Sequence, residues 1–200
     1  HKLYKELLNF CALDLSSFYF DIRKDVLYCD SVNSKKRKEC IMVLNIILDC
    51  LLRWFAPIFV FTTDEIYSLV GKDKKNIHEH IFPKIPKKWE NKILNDRWKQ
   101  LFKIKQEANI AIEEKRANKE IGSSLEAELR ITTDNQNFEL LDGIDLAEYF
   151  ITSKAEKIKS KNKEQLKIEV TKSQGVKCPR CWKILDNKCV RCEKAIANKI

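Results

Sequence analysis

The sequence predicts a mainly α fold, in which a helical bundle is followed by a long helix, a small α+β unit and a short cysteine-rich tail. Only four Gly and four Pro occur in 200 residues, so few positions interrupt long regular elements. Apolar residues recur at the period of amphipathic helices in the first part of the chain and then at the period of two that strands show. With 44% apolar residues the chain can bury a core.

The first two predicted helices span 2–20 and 35–56, and Pro57 ends the second. Because the helical pattern starts with no capping residue before it, we expect the chain to be a piece of a longer protein. The second helix is strongly apolar, but Asn45, Asp49 and Arg53 fall on one face at four-residue intervals. This pattern favours a buried bundle helix over a membrane span.

Two further helices are predicted before the pattern changes. Thr62 and Glu65 have the spacing of a capping box, which predicts a short helix that begins at Thr62 and ends at Gly71. Residues 72–90 are predicted as a loop. A long helix follows over 89–119, and Gly122 is expected as its terminator.

The α+β unit is predicted from residues that alternate between apolar and polar. Strands are expected at 125–132 and 166–171, with a short helix near 144–150 and another strand at 149–152 between them. The predicted domains are 1–90 (a helical bundle), 91–172 (the long helix with the α+β unit) and 173–200 (the cysteine-rich tail).

The eight cysteines form two groups. Those of the first group, expected to be reduced and buried, are Cys11, Cys29, Cys40 and Cys50. The others form two C-x-x-C pairs with seven residues between them: Cys178, Cys181, Cys189 and Cys192. Two such knuckles complete a tetrahedral site for one Zn²⁺ with no position left for water, so the predicted zinc is structural. Two disulfides or a redox pair are alternatives, but a matched doublet and scattered free thiols favour a metal site in a reduced, cytoplasmic protein.

The net charge of +9 is localised in residues 153–200, which contain 14 Lys/Arg and 5 Asp/Glu. A basic surplus beside a zinc module favours a phosphate-backbone partner, in particular single-stranded RNA. For the basic run 154–167, a solvated face is the equal alternative. Trp182 next to a zinc ligand is either a platform for base stacking or the core of the module. His78 and His80 are expected in a surface loop rather than as ligands.

Five stretches of the sequence, taken in order, point to one known family. They are 13–25 (LDLSSFYFDIRKD) with 27–28; 56–57 with 63–66 (TDEI); Arg116 and Lys119 with 121–127 (IGSSLEA); 152–153; and 177–182 (KCPRCW). Together they resemble the anticodon-binding domain and C-terminal zinc finger of class I aminoacyl-tRNA synthetases, specifically the isoleucyl-tRNA synthetases. The seven-residue stretch between the knuckles is shorter than is usual in that family.

The resemblance implies that tRNA(Ile) is the partner and that the chain is the tRNA-reading end of a cytoplasmic, monomeric ligase, with no DNA or membrane partner. ATP and Mg²⁺ would serve only the full enzyme, whose nucleotide-binding and editing domains do not match this sequence, so no catalytic residue is predicted. The candidate tRNA-binding residues are Arg23, Lys24, Arg116, Lys119, Lys177, Arg180, Trp182, Lys183 and Arg191.

Three alternatives stay open at this point. The helical part also fits a valyl, leucyl or methionyl relative. The finger is similar to that of DNA glycosylases, but residues 1–90 lack the N-terminal nucleophile and helix-hairpin of such enzymes. A zinc adaptor that binds protein would leave the localised positive charge unexplained.

Overall fold

The structure, a computed structural model, describes residues 1–71, 75–160 and 166–197, and it confirms the mainly α fold class. Its helices are α1 (Lys2–Asn9), α2 (Asp21–Cys29), α3 (Lys35–Phe55), α4 (Val60–Val70), α5 (Lys92–Ala117), α6 (Asn135–Leu140), α7 (Leu146–Tyr149) and α8 (Val190–Ala197). Its strands are β1 (Ala127–Thr133), β2 (Lys154–Lys159), β3 (Lys167–Lys172), β4 (Val176–Lys177) and β5 (Ile184–Leu185). Parts of three predicted segments lie outside the described residues: 72–74 of the loop, 161–165 of the basic run and 198–200 of the tail.

The chain forms two compact units, one made of 1–32 with 92–200 and the other of 33–91. The units are defined by contacts in space, and the first 32 residues pack with the second half of the chain. The predicted segment 1–90 is therefore divided between the two units. The division into 1–90, 91–172 and 173–200 stays a prediction about segments along the sequence.

The first predicted helix extends further than expected. A π-helical segment, Phe10–Phe20, joins α1 to α2, and the backbone stays right-handed helical at both junctions. Within this segment the Ser17 hydroxyl also donates to the Ala12 carbonyl, five residues earlier, at 2.8 Å. The helical rod therefore reaches Cys29, nine residues beyond the predicted end.

In the unit 33–91, α3 confirms the bounds of the predicted second helix but not its burial, since Ile41, Met42, Val43 and Ile46 are 37–58% exposed. Ser34 caps its first turn by accepting from the Arg37 amide at 3.4 Å, and the helix ends at Phe55, two residues before Pro57. The last turns of α3 pack in a cluster of buried residues that holds Leu52, Ala56, Tyr67 and Ile77. Within the described ranges, no helix combines the length and apolar character that crossing a bilayer requires.

The capping box predicted at Thr62 and Glu65 is wrong. The next helix, α4, already begins at Val60, and the neighbouring Thr63 hydroxyl donates to the Phe59 carbonyl at 2.8 Å inside the first turn. The predicted end is confirmed, since Gly71 adopts a left-handed conformation with φ of 64°.

The long helix α5 ends by a different device from the one predicted. Lys119, with φ of 59°, takes the left-handed position of a Schellman motif. Its amide donates to the Arg116 carbonyl, and the Glu120 amide donates to the Lys115 carbonyl, each at 3.0 Å. Gly122 is therefore not the terminator, and its amide instead donates to the Glu126 carboxylate at 3.0 Å.

The small sheet has the order β2-β1-β3, with β2 parallel and β3 antiparallel to the central strand β1. The predicted strands near 125–132 and 166–171 are confirmed. The strand predicted at 149–152 is wrong, because α7 ends at Tyr149 and Ile151 is left-handed with φ of 58°. The chain re-enters the sheet only at β2, and α6 in the same crossover was not predicted.

The main core of this unit lies where α5 covers the sheet. Its fully buried side chains include Leu101, Ala108, Leu129, Ile131 and Phe150, each no more than 1% exposed. Burial of these side chains drives the packing of α5 on the sheet. The sheet edge and the cysteine-rich tail are thereby held on the same compact unit.

Leu129→Ala should lower the free energy of unfolding by about 2–5 kcal/mol, because it opens a cavity in a close-packed core. Ile110→Ala is the matched control, since the Ile110 side chain is 65% exposed on α5. We expect a change within about 0.5 kcal/mol for the control, measured by urea denaturation followed by circular dichroism. Equal effects of the two substitutions would contradict this placement of the core.

Candidate functional site

Four cysteines of the tail are brought together by a hairpin and a helix start. Strands β4 and β5 pair antiparallel, and their connection forms the first knuckle, Cys178–Cys181. The knuckle is closed by the Trp182 amide, which donates to the Cys178 carbonyl at 2.9 Å. Gly175 is required just before β4, because a Cβ there would lie 2.2 Å from the Leu185 carbonyl oxygen.

The second knuckle lies at the start of α8. Cys189 directly precedes this helix and Cys192 lies in its first turn. The Glu193 amide donates to the Cys189 carbonyl at 3.0 Å, so the helix fixes the spacing of the pair. After β5, bends at Asp186 and Asn187 lead to this second knuckle.

The four sulfur atoms have the arrangement of a metal site. All lie within 4.8 Å of one another, and the Cys181 and Cys189 sulfurs are 3.9 Å apart. A tetrahedral ion with bonds of about 2.3 Å to sulfur separates its ligands by roughly 3.8 Å. Three of the four cysteines are buried and Cys189 is half-buried, and none of the eight cysteines, all of which lie in the described ranges, forms a disulfide. The cluster can therefore hold one metal ion.

The chemistry of the thiols also fits a cation. Burial raises the pKa of Cys178, but hydrogen bonds from the amides of Cys181 and Arg180 outweigh burial and lower it to about 7. Burial raises the pKa of Cys181 and Cys192 above the usual value. A bound divalent cation would supply the positive charge that these buried thiolates need.

The C-terminal end of α2 forms one wall of the site. Cys29, the last residue of α2, packs in one cluster with the buried Cys178, Cys181 and Cys192. Its thiol donates to the Arg180 carbonyl at 3.9 Å. Burial, followed by the charge of Asp25, raises the pKa of Cys29 to about 11, so this thiol stays protonated at neutral pH. The sequence predicted a buried thiol at Cys29 but gave no sign of its place beside the ligands.

Two arginines of the knuckles point to α2. Arg180 donates from one guanidinium nitrogen to the Cys29 carbonyl and from the other to the Tyr28 carbonyl, the latter at 2.7 Å. Arg191 binds the Asp25 carboxylate with two bonds, of 2.5 Å and 2.7 Å. These side chains were predicted to bind tRNA, and in the structure they bind the chain itself.

Arg191 also determines the ionisation of its partner. Burial of the Asp25 carboxylate raises its pKa, but the hydrogen bonds and charge of Arg191 outweigh burial and hold the pKa below the usual value. The hydrogen bonds of Asp25 in turn raise the pKa of Arg191. The pair is therefore fully charged at neutral pH.

The other predicted cations differ in how firmly they are held. Arg23 bonds to the buried Glu148 carboxylate at 2.6 Å, and Lys177 contacts Glu126 at 3.1 Å. The remaining ion pairs are exposed on both sides: Lys24 with Asp21 at 2.9 Å, and Arg116 with Glu113 at 2.6 Å. Exposed pairs of this kind are weak and exchange readily for another anion.

The structure groups the candidate residues at two places. A cavity of about 460 Å³ between α2, residues 123–125 and the knuckle is lined by Lys24, Arg180, Trp182 and Lys183, among others. Arg116 and Lys119 line a separate hollow of about 480 Å³ at the end of α5. Trp182 is 62% exposed, so its interpretation as the core of the module is wrong.

The two histidines of the loop contact groups of their own unit, 33–91. The His78 ring nitrogen lies 3.1 Å from the Val60 carbonyl oxygen, and the His80 ring nitrogen lies 3.0 Å from the Tyr67 hydroxyl. Among the described residues, the metal-type cluster found is that of the four cysteines. Neither histidine belongs to it.

Cys181→Ser should abolish stoichiometric metal binding, because a hydroxyl at this position is a poor replacement for a thiolate. Cys40→Ser is the control, since Cys40 is an equally buried thiol outside the cluster. We expect one equivalent of Co²⁺ per chain, with thiolate charge-transfer absorption, for the parent and control and less than a tenth of that for Cys181→Ser. Full binding by Cys181→Ser would rule out the four-cysteine site.

Comparisons with known proteins agree with the resemblance predicted from the sequence. A family model described as the anticodon-binding domain of tRNA ligase matches residues 1–132. The chain is 53% identical over 191 residues to the isoleucine–tRNA ligase of Pelagibacter ubique, an alignment that covers 96% of the chain and 21% of that protein. For the isoleucine–tRNA ligases of Agrobacterium fabrum and Methylacidiphilum infernorum, the identities are 37% and 41%, over 92% and 91% of the chain.

The alignments cover a limited part of each relative, since the chain spans about a fifth of the length of these ligases. The family model, in contrast, covers well over half of the chain, from α1 into β1. The chain belongs to the family of anticodon-binding domains of tRNA ligases.

Proposed function

We propose that the chain is the tRNA-recognition part of an isoleucine–tRNA ligase and that it binds tRNA(Ile). The observation that carries this proposal is the similarity to isoleucine–tRNA ligases over nearly the whole chain, the cysteine-rich tail included. In the complete enzyme, isoleucine would be joined to tRNA(Ile) with ATP and Mg²⁺. This chain would contribute binding, and we assign it no catalytic residue.

The proposed metal is one structural Zn²⁺ held by Cys178, Cys181, Cys189 and Cys192. Four soft thiolate donors in a tetrahedral arrangement are the ligand set that zinc favours, and Zn²⁺ has no redox chemistry to disturb them. The four protein ligands fill the coordination sphere, so the ion would stabilise the module rather than activate water. A module whose two strands have two residues each needs such support.

The proposed RNA contact is the surface around the cavity of Lys24, Trp182 and Lys183. An exposed indole offers a face on which an unstacked base can lie, while the two ammonium groups can meet phosphates. Arg116 and Lys119 would contact the RNA backbone at a second place, near the end of α5. We propose that Arg23, Lys177, Arg180 and Arg191 mainly orient these surfaces, because each is bound to acceptors of the chain.

We also propose that the protein acts in the cytoplasm and as a monomer. Eight cysteines without a disulfide fit a reducing compartment, in which tRNA charging would take place. The monomer rests on the resemblance to isoleucyl-tRNA synthetases alone.

The chain should bind tRNA(Ile) more tightly than tRNA(Val) or tRNA(Met), with an affinity that falls steeply as salt rises. Phosphate contacts release counterions, so Lys183→Gln should reduce the slope of log affinity against log salt by about one. Lys188→Gln, next to Cys189 but outside the cavity, is the matched control. Fluorescence anisotropy at several salt concentrations measures the slope. An affinity that does not change with salt, or that is equal for the three tRNAs, would contradict the proposal.

Trp182→Leu should weaken tRNA(Ile) binding about 5- to 150-fold, which corresponds to the roughly 1–3 kcal/mol of one stacked base. Trp182→Phe, which keeps an aromatic face, should retain most of the affinity. Both variants should bind one metal ion, because the side chain is exposed and only its backbone amide closes the knuckle. The same loss in both variants would point to a structural role for the indole.

A further inference from the structure

We infer that metal binding at the four cysteines is thermodynamically coupled to the docking of helix α2, with Arg180 and Arg191 as the positioning residues that carry the coupling. This inference rests on the proposed metal binding and goes beyond it. It assigns the metal a role outside its own module, namely to fix the helix that bears Arg23 and Lys24.

The first support is where the two arginines stand in the sequence. Arg180 directly precedes the ligand Cys181, and Arg191 directly precedes the ligand Cys192. Each knuckle thus carries one anchor to α2, and the backbone of each anchor is fixed when its neighbour binds the ion. Because the two knuckles belong to different elements, a hairpin and a helix, the shared ion is what sets the distance between the anchors.

The second support is the chemistry of the α2 end. Arg180 bonds to the carbonyls of Tyr28 and Cys29, which carry the partial negative charge of a helix C-terminus. Arg191 bonds to Asp25 one turn earlier and lies 3.4 Å from Asp30 just after the helix. Four acceptors at one end of α2 are therefore matched by two guanidinium groups.

The third support is burial. The Asp25 and Asp30 side chains are 22% and 12% exposed, and Arg191 is 36% exposed. Partly buried, bidentate pairs are stronger than surface pairs, and removal of one partner leaves a desolvated charge behind. Undocking of α2 would also uncover the thiol of Cys29 and the sulfur cluster against which it packs.

These three observations define a linkage. Ion binding orders the knuckles, the ordered knuckles hold α2, and a docked α2 in turn favours the ordered knuckles. The effect of α2 on metal affinity must equal the effect of the metal on α2 docking, since coupling free energies are reciprocal. The cavity of Lys24, Trp182 and Lys183 lies between α2 and the knuckle, so the same coupling would set the shape of the proposed RNA surface.

Asp25→Asn in the complete chain tests the coupling, because it removes the charge that Arg191 meets and keeps the size of the side chain. We expect a loss of Zn²⁺ affinity on the order of tenfold, the lower end of the range for side chains that support metal ligands, because Asp25 acts through Arg191. Competition with a chromophoric chelator measures this affinity. Asp21→Asn is the matched control: the same change on the same helix, at a carboxylate paired with the exposed Lys24. Its affinity should stay within about twofold of the parent.

Two further measurements separate a positioning role from a general loss of stability. Co²⁺-loaded Asp25→Asn should keep the tetrahedral thiolate spectrum, which shows that the four ligands are unchanged. Hydrogen exchange of the α2 amides should rise in the parent when a chelator removes the metal, and this rise should shrink in Asp25→Asn. If Asp25→Asn fails to fold, Arg180→Lys takes its place, because it keeps the charge but loses the double contact with α2. It should likewise lower the Zn²⁺ affinity and reduce the effect of metal removal on α2 exchange.

Unchanged metal affinity in Asp25→Asn, or α2 exchange that does not respond to the metal, would overturn the coupling and leave the metal site standing. A parent chain that binds no metal ion would overturn both the coupling and the proposed zinc.

Discussion

The contact between Arg191 and Asp25 is the interaction on which the arrangement of the candidate site depends. It joins the start of α8 to α2 across 166 residues of sequence, with both terminal nitrogens of the guanidinium group engaged. Local preference alone would not hold α8 in place, because this helix is only eight residues long and follows strands of two residues each. Its position therefore depends on the contact with α2. A bidentate charged pair supplies direction as well as energy, and Arg180 adds a second fixed point on the same helix end.

This contact changes the meaning of the localised positive charge. The surplus of nine in residues 153–200 is real as a count, but several of the cations face acceptors of the chain. Lys154 pairs with Asp186 at 2.7 Å, Lys177 with Glu126 at 3.1 Å, and Arg191 with Asp25. Fewer positive charges are therefore available to a partner than the sequence suggests. For binding, Lys24 and Lys183 at the cavity matter more than the net charge of the segment. In one basic segment, some side chains can stabilise the fold while others bind RNA.

Much of the fold could be predicted from the sequence, because periodicity and breakers report local structure directly. The two longest helices, the two main strands and the helix end at Gly71 were predicted correctly for this reason. The failures share another cause. Lys119 and Ile151 adopt left-handed backbone that is usual for glycine, so the sequence placed a helix end at Gly122 and a strand across Ile151. Tertiary context fixed those two conformations, and residue preference alone does not report it.

The candidate site also has features that the sequence predicts and features that depend on tertiary contacts. The four ligands were predictable because the C-x-x-C spacing is itself the chemistry of the knuckle. The roles of Arg180, Arg191 and Cys29 were not, because each depends on a partner about 150 or more residues away in the sequence. The local surplus of positive charge predicted that the two arginines bind RNA. Only their contacts in the structure show that they bind α2.

Trp182 has both an unusual backbone conformation and an exposed side chain. Its left-handed backbone, with φ of 64°, follows from the closure of the knuckle through its amide, and it turns the indole outward next to a ligand. Such a conformation costs a residue with a Cβ about 1–2 kcal/mol, and glycine would adopt it without strain. The indole is 62% exposed and therefore adds little to the core. A strained, exposed aromatic residue beside two lysines and a cavity is instead the arrangement expected of a contact surface, which supports the proposed stacking of a tRNA base on Trp182.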